Sequence, residues 1–412
     1  MTPSGFVSRG TRLLALLLLL GAPASFANAR DNPSAPSAGG ATPTSARPAA
    51  GPRLFDVEAP IALLEEASSG RVLFEKNADQ MHPPASITKI MTMLLVMEAV
   101  ERGDIQLDGM VTVSARASNV GGSQAYLAEG EQFTVDDLLK AVAIHSANDA
   151  CVALAEFVSG DVEAFVDSMN EKAGSLGMKN TTFHTPHGLP PEPGQEADMT
   201  TARDVVTMSR ELILKHPMIL KYTGTAHDSI RGGKFHLDNT NKLVGKVAGV
   251  DGLKTGFFGA AGFGLSATAT RRGLRMISVV MGAKTNNQRA SDSARLLNYG
   301  FSRLRNVVVR KEGEPAGEIA VKRGRAEKVA AQTGGEMKIL LERGEERKIE
   351  IRVDPIPSLS APIAVGQKVG TCVATLDGKV VGATPVVATA AVEKANWIIL
   401  FFRWLFALLG IK

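Results

Sequence analysis

The sequence predicts a mixed α/β (α+β) domain, a sheet flanked by helices, followed by a small all-β domain and an apolar C-terminal helix. Three observations carry this reading. Apolar runs of strand and helix period are interspersed between about residues 54 and 304. Short alternating runs separated by glycines occupy 305–390. Trp397 to Ile411 is apolar except for Arg403. At 412 residues the chain has room for two or three domains, and 44% hydrophobic with 21% charged residues is ordinary for a globular protein.

Residues 1–29 read as a secretory signal: Arg9 and Arg12, the apolar run Leu13 to Leu20, and the small-x-small site Ala27-Asn28-Ala29. Residues 30–53, rich in Pro, Ala, Ser and Gly, read as a flexible linker because they cannot bury enough apolar surface to order. Ile61 to Leu64 and Arg71 to Phe74 bracket Ser68-Ser69-Gly70, which predicts a hairpin. Pro83 and Pro84 stop the chain just ahead of Ser86, as proline is tolerated in a first helical turn and not within a helix. The run Ile90 to Met97 is apolar on nearly all sides and predicts a central, buried helix.

Leu138 to Val158 reads as helical with a break near Ser146, and Val162 to Ala173 and Ala202 to Leu214 as further helices. Phe263 to Thr268 and Met276 to Met281 read as strands, and Ser291 to Leu304 as a closing helix. The mixed helix and sheet domain is thus expected over 54–304, the β-rich domain over 305–390, and an apolar, membrane-anchoring helix over 391–412. The fifteen residues from Trp397 to Ile411 make about 22 Å of helix, short of the ~30 Å hydrocarbon core. A helix lying in the membrane interface is therefore favoured over a tilted span or a helix packed on the protein's own core.

The net charge of +4, to which Arg9 and Arg12 contribute, is too small to argue for a nucleic-acid partner, and no such motif appears. Cys151 and Cys372 fall in different expected domains, so two buried thiols are expected rather than a disulfide. There is no H-E-x-x-H and no Cys/His cluster, so neither a metal nor a cofactor is expected.

Three strings carry the chemistry: Ser86-Ile87-Thr88-Lys89, Ser146-Ala147-Asn148 and Lys254-Thr255-Gly256. A serine three residues before a lysine on a helix shares a face with it, which suits a nucleophile with its own base. S-x-x-K alone is expected about once by chance in a chain of this length; the ordered set is far more specific. Lys89 is a base only when neutral, and burial or a second cation lowers a lysine pKa. Lys254 is the candidate second cation, expected to be the charged member. Ser86, at a helix start, has a free N–H for an oxyanion, and the N–H of Phe257 is the candidate second donor.

Lys254 and Thr255, on an expected strand edge, are placed to hold an anionic group, and Gly256 to let a substrate lie close to the backbone. Ser146 is the candidate proton shuttle, and Asn148 the residue that orients Lys89 and the substrate amide. His145 and His187 read as neighbours, because the lysine already fills the base role.

The ordered set S-x-x-K, S-x-N and K-T-G marks class A β-lactamases and penicillin-binding proteins. Pro84-Ala85-Ser86-Ile87-Thr88-Lys89, Gly121-Gly122-Ser123, Ser146-Ala147-Asn148-Asp149-Ala150 and Asp251-Gly252-Leu253-Lys254-Thr255-Gly256 resemble the low-molecular-mass penicillin-binding proteins, serine-type D-alanyl-D-alanine carboxypeptidases. The resemblance covers about residues 54–390, and extends to the export signal and C-terminal helix. It implies a serine β-lactamase/DD-peptidase-like fold and removal of the terminal D-alanine from peptidoglycan pentapeptides through a Ser86 acyl-enzyme. It also implies acylation of Ser86 by β-lactam antibiotics, a position on the periplasmic face of the cytoplasmic membrane through the C-terminal helix, and a role for Arg289 near the substrate carboxylate. Three positions depart from the pattern: Phe257 where some members have histidine, Asn239 to Lys242 where some carry arginine, and Ala147 in the middle of the second string.

Two rival readings remain. A class A β-lactamase needs a glutamate followed four residues later by asparagine, and none of Glu156, Glu163, Glu171, Glu192, Glu196 or Glu211 has one. A non-catalytic wall-binding scaffold would leave the Ser/Lys/Ser/Lys set without a use. The sequence does not fix the oligomeric state.

Overall fold

The computed structural model describes residues 55–409. The expected signal and linker lie outside the described residues. The predicted hairpin forms from β1 (Ile61–Glu66) and β2 (Arg71–Lys76). Its turn closes on the buried Glu66 carboxylate, which accepts from Ser68 Oγ at 2.8 Å, Ser69 N at 2.8 Å and Ser69 Oγ at 2.6 Å. After Pro83 and Pro84 the chain makes a 3₁₀ turn, Ala85–Thr88, that runs into α1 (Lys89–Arg102). Helix α1 is buried along most of its length, as its all-round apolar sequence requires, and ends at Gly103, whose φ of 78° suits only a residue without a Cβ.

A small hairpin, β3 (Met110–Thr112) with β4 (Gln132–Thr134), brackets α2 (Ala115–Asn119). Thr134 then caps α3 (Val135–Lys140), accepting from Asp137 N. The expected break near Ser146 is a π-helical turn over Ala141–His145, followed by Ser146 in the left-handed region at φ 68° and by α4 (Asn148–Ser159). Helices α5 (Val162–Ser175) and α6 (Ala202–Lys215) match their sequence signals, and α7 (Ile219–Thr223) is a short addition. A second small hairpin, β5 (His227–Ile230) with β6 (Phe235–Asp238), precedes the long strands β7 (Val250–Phe258), β8 (Gly262–Arg271) and β9 (Leu274–Ala283). Helix α8 (Asn286–Arg303) starts five residues before its apolar signal, because the Thr285 hydroxyl caps it by accepting from Gln288 N.

The main sheet runs β2-β1-β9-β8-β7, antiparallel throughout. Strand alternation divides its side chains between two cores. Ile61, Leu63, Ile277 and Val279 pack with α1 and the helical segment. Ala62, Leu64, Leu265 and Val280 pack with Leu296 and Leu297 of α8. Strand β7 is the sheet's outer strand, so Lys254 stands on the edge expected for it.

At Leu304 the chain passes from α8 directly into the all-β domain: β10 (Leu304–Arg310), β11 (Pro315–Ala320), β12 (Lys328–Thr333), β13 (Met337–Glu342), β14 (Ile349–Pro355), β15 (Lys368–Leu376) and β16 (Lys379–Ala388). A β11-β12-β16-β15-β14 sheet and the β10-β13 pair enclose Val329, Ile339, Leu341, Val369 and Val386. Glu342 couples the domains, accepting from Arg71 and Arg303 at 2.7 Å each. Cys151 and Cys372 are free and buried, one in each domain.

The C-terminal helix is α9 (Trp397–Leu408). Arg403, its one charged residue, turns inward and donates to the carbonyls of Gly324 at 2.8 Å and Arg325 at 2.9 Å, with Glu327 at 3.0 Å. Trp397, Phe401, Trp404 and Leu408, spaced to share one helix face, are exposed. No helix among the described residues is long and apolar enough to cross a membrane.

The hairpin turn gives a first test. Glu66→Ala leaves three donors without their acceptor, and is expected to lower the unfolding free energy by about 1–3 kcal/mol in a denaturant titration.

Candidate active site

Ser86 lies on the 3₁₀ turn between buried Ala85 and Ile87 and keeps partial exposure itself. Ala85 sits at φ 49°, a conformation costly for a residue with a Cβ. Two glycines hold it there. A Cβ added to Gly256 would lie 2.5 Å from Pro84 O, and one added to Gly188 would lie 2.0 Å from Ala85 O. Gly256, expected from the sequence to let a substrate approach, instead admits the chain's own Pro84. Its missing side chain brings β7 against the turn that carries Ser86.

Lys89 opens α1 one turn on, fully buried. Its Nζ lies 2.8 Å from Ser86 Oγ, 2.7 Å from Asn148 Oδ1 and 2.8 Å from His187 O. Asn148 Oδ1 and the carbonyl only accept, so they take two N–H bonds of the amine. The remaining position faces Ser86 Oγ, and in the neutral amine that position is the lone pair. Burial pushes the Lys89 pKa down to about 8, against the fields of Asp198 and Asp149.

Lys254 Nζ lies 2.9 Å from Ser146 Oγ and 3.1 Å from Thr255 O. Its pKa is also driven well below the ordinary lysine value, by burial first, then by the charges of Lys89 and Arg289. The expectation is a depressed Lys89 beside a charged Lys254; burial lowers the pKa of both amines. Both amines are buried, so both are pushed toward the neutral form, and the pair titrates jointly. Neither lysine has an ion-pair partner among the described residues.

The π-helical turn and the left-handed Ser146 aim that hydroxyl at Lys254 while Asn148 begins α4. Asn148 Nδ2 donates to Gly121 O at 2.7 Å, and its backbone N–H donates to Ser123 O at 2.7 Å. A Cβ at Gly122 would strike Asn148 Nδ2 at 2.7 Å, which accounts for that glycine. Ala147 is fully buried with φ −61° and ψ 123°, values open to any residue, so alanine fits the middle of the second string.

Thr255 Oγ1 donates to Thr240 Oγ1 at 2.8 Å, and Thr240 N donates to Ile144 O at 3.1 Å, joining β7 to the π-helical turn. Phe257 is 55% exposed and stacks on Phe263 with centroids 4.1 Å apart. Behind them Arg289 lies over the Phe263 ring and donates to the carbonyls of Gly256 at 3.0 Å and Gly264 at 3.2 Å. It too is buried without an ion-pair partner among the described residues, and burial pushes its pKa down to about 10.

His187 donates no side-chain group to the lysines. Burial, with Lys89 nearby, drives its pKa down to about 3, so it is neutral, and its contribution to the site is its carbonyl. His145 packs edge-on against Phe235.

Ser86, Lys89, Ser146, Asn148, Lys254, Thr255 and Gly256 thus converge from three distant stretches of chain. Phe257 follows Gly256 on β7, and Arg289 is bonded to the Gly256 carbonyl. Thr240, Gly188 and the His187 carbonyl also shape the site; the sequence marks His187 as a neighbour and 239–242 as a departure from the pattern, and neither role is readable from it. No group of three or more His, Cys, Asp or Glu side chains able to hold a metal occurs among the described residues.

The chain and its fold are similar to those of known proteins. A family model described as D-alanyl-D-alanine carboxypeptidase matches residues 44–285, and one described as the penicillin-binding protein 5 C-terminal domain matches 305–394. The chain is 42% identical over 347 residues to the D-alanyl-D-alanine carboxypeptidase DacF of Bacillus subtilis, covering 83% of this chain and 87% of that protein. It is similar to the solved structure of penicillin binding protein 5 from Haemophilus influenzae, with 33% identity and a TM-score of 0.65 over 84% of this chain and all of that one. It also resembles Penicillin-Binding Protein D2 from Listeria monocytogenes in its ampicillin-bound form, with 34% identity and a TM-score of 0.56 over 61% of this chain and 100% of that one.

The close approach at Gly256 can be tested directly. Gly256→Ala is expected to destabilise the protein by about 1–3 kcal/mol, read by thermal unfolding, and to slow acylation of Ser86 about tenfold or more as the turn shifts from β7.

Proposed function

The chain belongs to the D-alanyl-D-alanine carboxypeptidase family, and from that premise we propose that Ser86 is the nucleophile of a serine-type peptidase removing the terminal D-alanine from peptidoglycan stem peptides. The observation that carries this reading is the buried Lys89 amine 2.8 Å from Ser86 Oγ, with its other hydrogen bonds already committed. Ser86 Oγ attacks the carbonyl between the two D-alanines, and its proton passes to the Lys89 lone pair. The N–H groups of Ser86 and Phe257 are the candidate donors to the oxyanion.

Collapse of the tetrahedral intermediate breaks the peptide bond. The departing D-alanine amine takes the proton that Lys89 gained, relayed through Ser146, which Lys254 holds at 2.9 Å, and Lys89 is neutral again. Water then attacks the Ser86 ester with Lys89 as base, which frees the shortened peptide and restores the serine. The terminal carboxylate is held by Thr255 and the Arg289 guanidinium, and its negative charge in turn favours the protonated form of Lys254. A β-lactam carbonyl would acylate Ser86 by the same first step.

We further propose that the mature protein works on the periplasmic face of the cytoplasmic membrane, after export through its N-terminal signal. Helix α9 would lie in the interface. Its arginine is engaged by the β domain, and Trp397, Phe401, Trp404 and Leu408 are free to enter the lipid boundary.

The enzymatic reading is tested by D-alanine release from a diacyl peptide ending in D-Ala-D-Ala, with the mass of the Ser86 peptide measured after penicillin exposure. Ser86→Ala is expected to lose the adduct and to slow release at least about 10³-fold; full release by that variant would remove Ser86 from the mechanism. The base must be neutral, so the acylation rate is expected to climb with pH, about tenfold per unit, and to level off above about pH 8. A rate independent of pH between 6 and 9 would exclude Lys89 as the base. For the anchor, the mature chain is expected to co-sediment with phospholipid vesicles, and Phe401→Asp with Trp404→Asp to weaken binding about tenfold or more.

A further inference from the structure

Tyr126 is the residue that the mechanism leaves unexplained. It is 70% exposed, yet its backbone sits in the left-handed region at φ 54°. A large residue with a Cβ avoids that conformation, and an exposed ring contributes little burial to offset it. The conformation is imposed by the buried Asp149 on one side and the half-buried Arg231 on the other. The Asp149 carboxylate accepts from Ala125 N and Leu127 N, both at 3.0 Å. The Arg231 guanidinium donates to Ala125 O at 2.8 Å and Tyr126 O at 2.7 Å. Arg231 is itself fixed by Glu131, with contacts of 2.7 Å from Nε and Nη2, and lies over the rings of Phe133 and Phe235. The N–H groups flanking Tyr126 and two successive carbonyls are thus held so that its side chain stands out from the surface.

What it stands beside is the cleft. Asp149 follows Asn148 directly, and Ser123 O accepts from Asn148 N while Ser123 Oγ donates to His145 O at 2.9 Å. The Tyr126 ring meets Phe235 edge-on at 6.2 Å, and Phe235 meets His145 at 5.6 Å. His145 adjoins Ser146, and the hairpin carrying Phe235 continues to Thr240, the partner of Thr255. A row of aromatic rings therefore leads away from the Ser146 side of the site. Because Glu131 takes up the Arg231 charge, the row presents an aromatic face beside a compensated cation.

Resting on the function proposed above, we propose that Tyr126 is a specificity residue: an aromatic shelf for the aliphatic side chain of the residue that precedes the two D-alanines. The shelf adds affinity for a longer peptide and takes no part in bond breaking.

The test uses the full mature chain and two peptides ending in D-Ala-D-Ala, one with an acetylated lysine before the D-alanines and one with glycine there. Tyr126→Ala and Tyr126→Gly are expected to lower the lysyl-to-glycyl ratio of kcat/KM roughly tenfold, chiefly through KM. Tyr126→Phe is expected to keep it. An unchanged ratio overturns the proposal. So does an equal loss on both peptides with a lower Tm, which would assign Tyr126 to the fold. A loss seen only when the peptide carries its disaccharide overturns the assignment to the peptide and points to the glycan. A wild-type enzyme silent on both peptides would overturn the functional reading itself, and this inference with it.

Discussion

Two lysine amines lie buried, each within hydrogen-bond reach of a serine, and neither has a carboxylate partner among the described residues. Burying an ammonium without an opposite charge is costly, and the protein answers by lowering both pKa values rather than by pairing them. The sign of the consequence follows by linkage. For a pKa lowered from 10.5 to about 8, Lys89 burial opposes folding by about 3 kcal/mol below pH 8. That penalty fades as pH rises from 8 toward the unfolded value. A large, well-packed scaffold is the condition for keeping such a site.

The scaffold meets that condition by building the site at a seam. Helices α1 and α4 come from the helical core, β7 from the sheet edge, and two buried carboxylates organise the loops between them. Asp198 accepts from His184 N at 2.7 Å, Thr185 N at 3.0 Å and Thr88 Oγ1 at 2.9 Å. It therefore ties the 184–188 loop to the turn before α1, and that loop delivers the His187 carbonyl to Lys89 and Gly188 to Ala85. Asp149 does the same for the loop beside α4, holding Ala125 and Leu127. Neither aspartate needs to touch a substrate. Each fixes the backbone of a loop that borders the site.

Local chemistry was legible in the chain, and long-range contacts were not. The apolar run of α1, the prolines before Ser86 and the three strings located the catalytic segments because each signal is contained within a few residues. The break near Ser146 was readable as an interruption, but its contacts with Thr240 and Lys254, over ninety residues away, were not. Gly256 looked like a space for substrate because a sequence does not show that Pro84 O occupies it. The hairpin of β5 and β6 and the role of Asp198 were invisible for the same reason: their partners are remote in sequence. The early start of α8 is the exception, a local Thr285 cap that its polar first turns concealed.

The departures from the family pattern become intelligible as packing. Ala147 sits at backbone angles that alanine accepts, so the second string tolerates it without moving Ser146 or Asn148. Phe257 takes the place where some relatives carry histidine, and its ring stacks on Phe263, whose other neighbour is the Arg289 guanidinium. A histidine there could donate a hydrogen bond; a phenylalanine offers an apolar face and a π surface in line with a buried cation. The stack keeps Arg289 dry on one side while Gly256 O and Gly264 O hold it on the other. A guanidinium so confined is aimed by its neighbours rather than by an acid: two carbonyls and a ring fix its position, and no carboxylate among the described residues neutralises it.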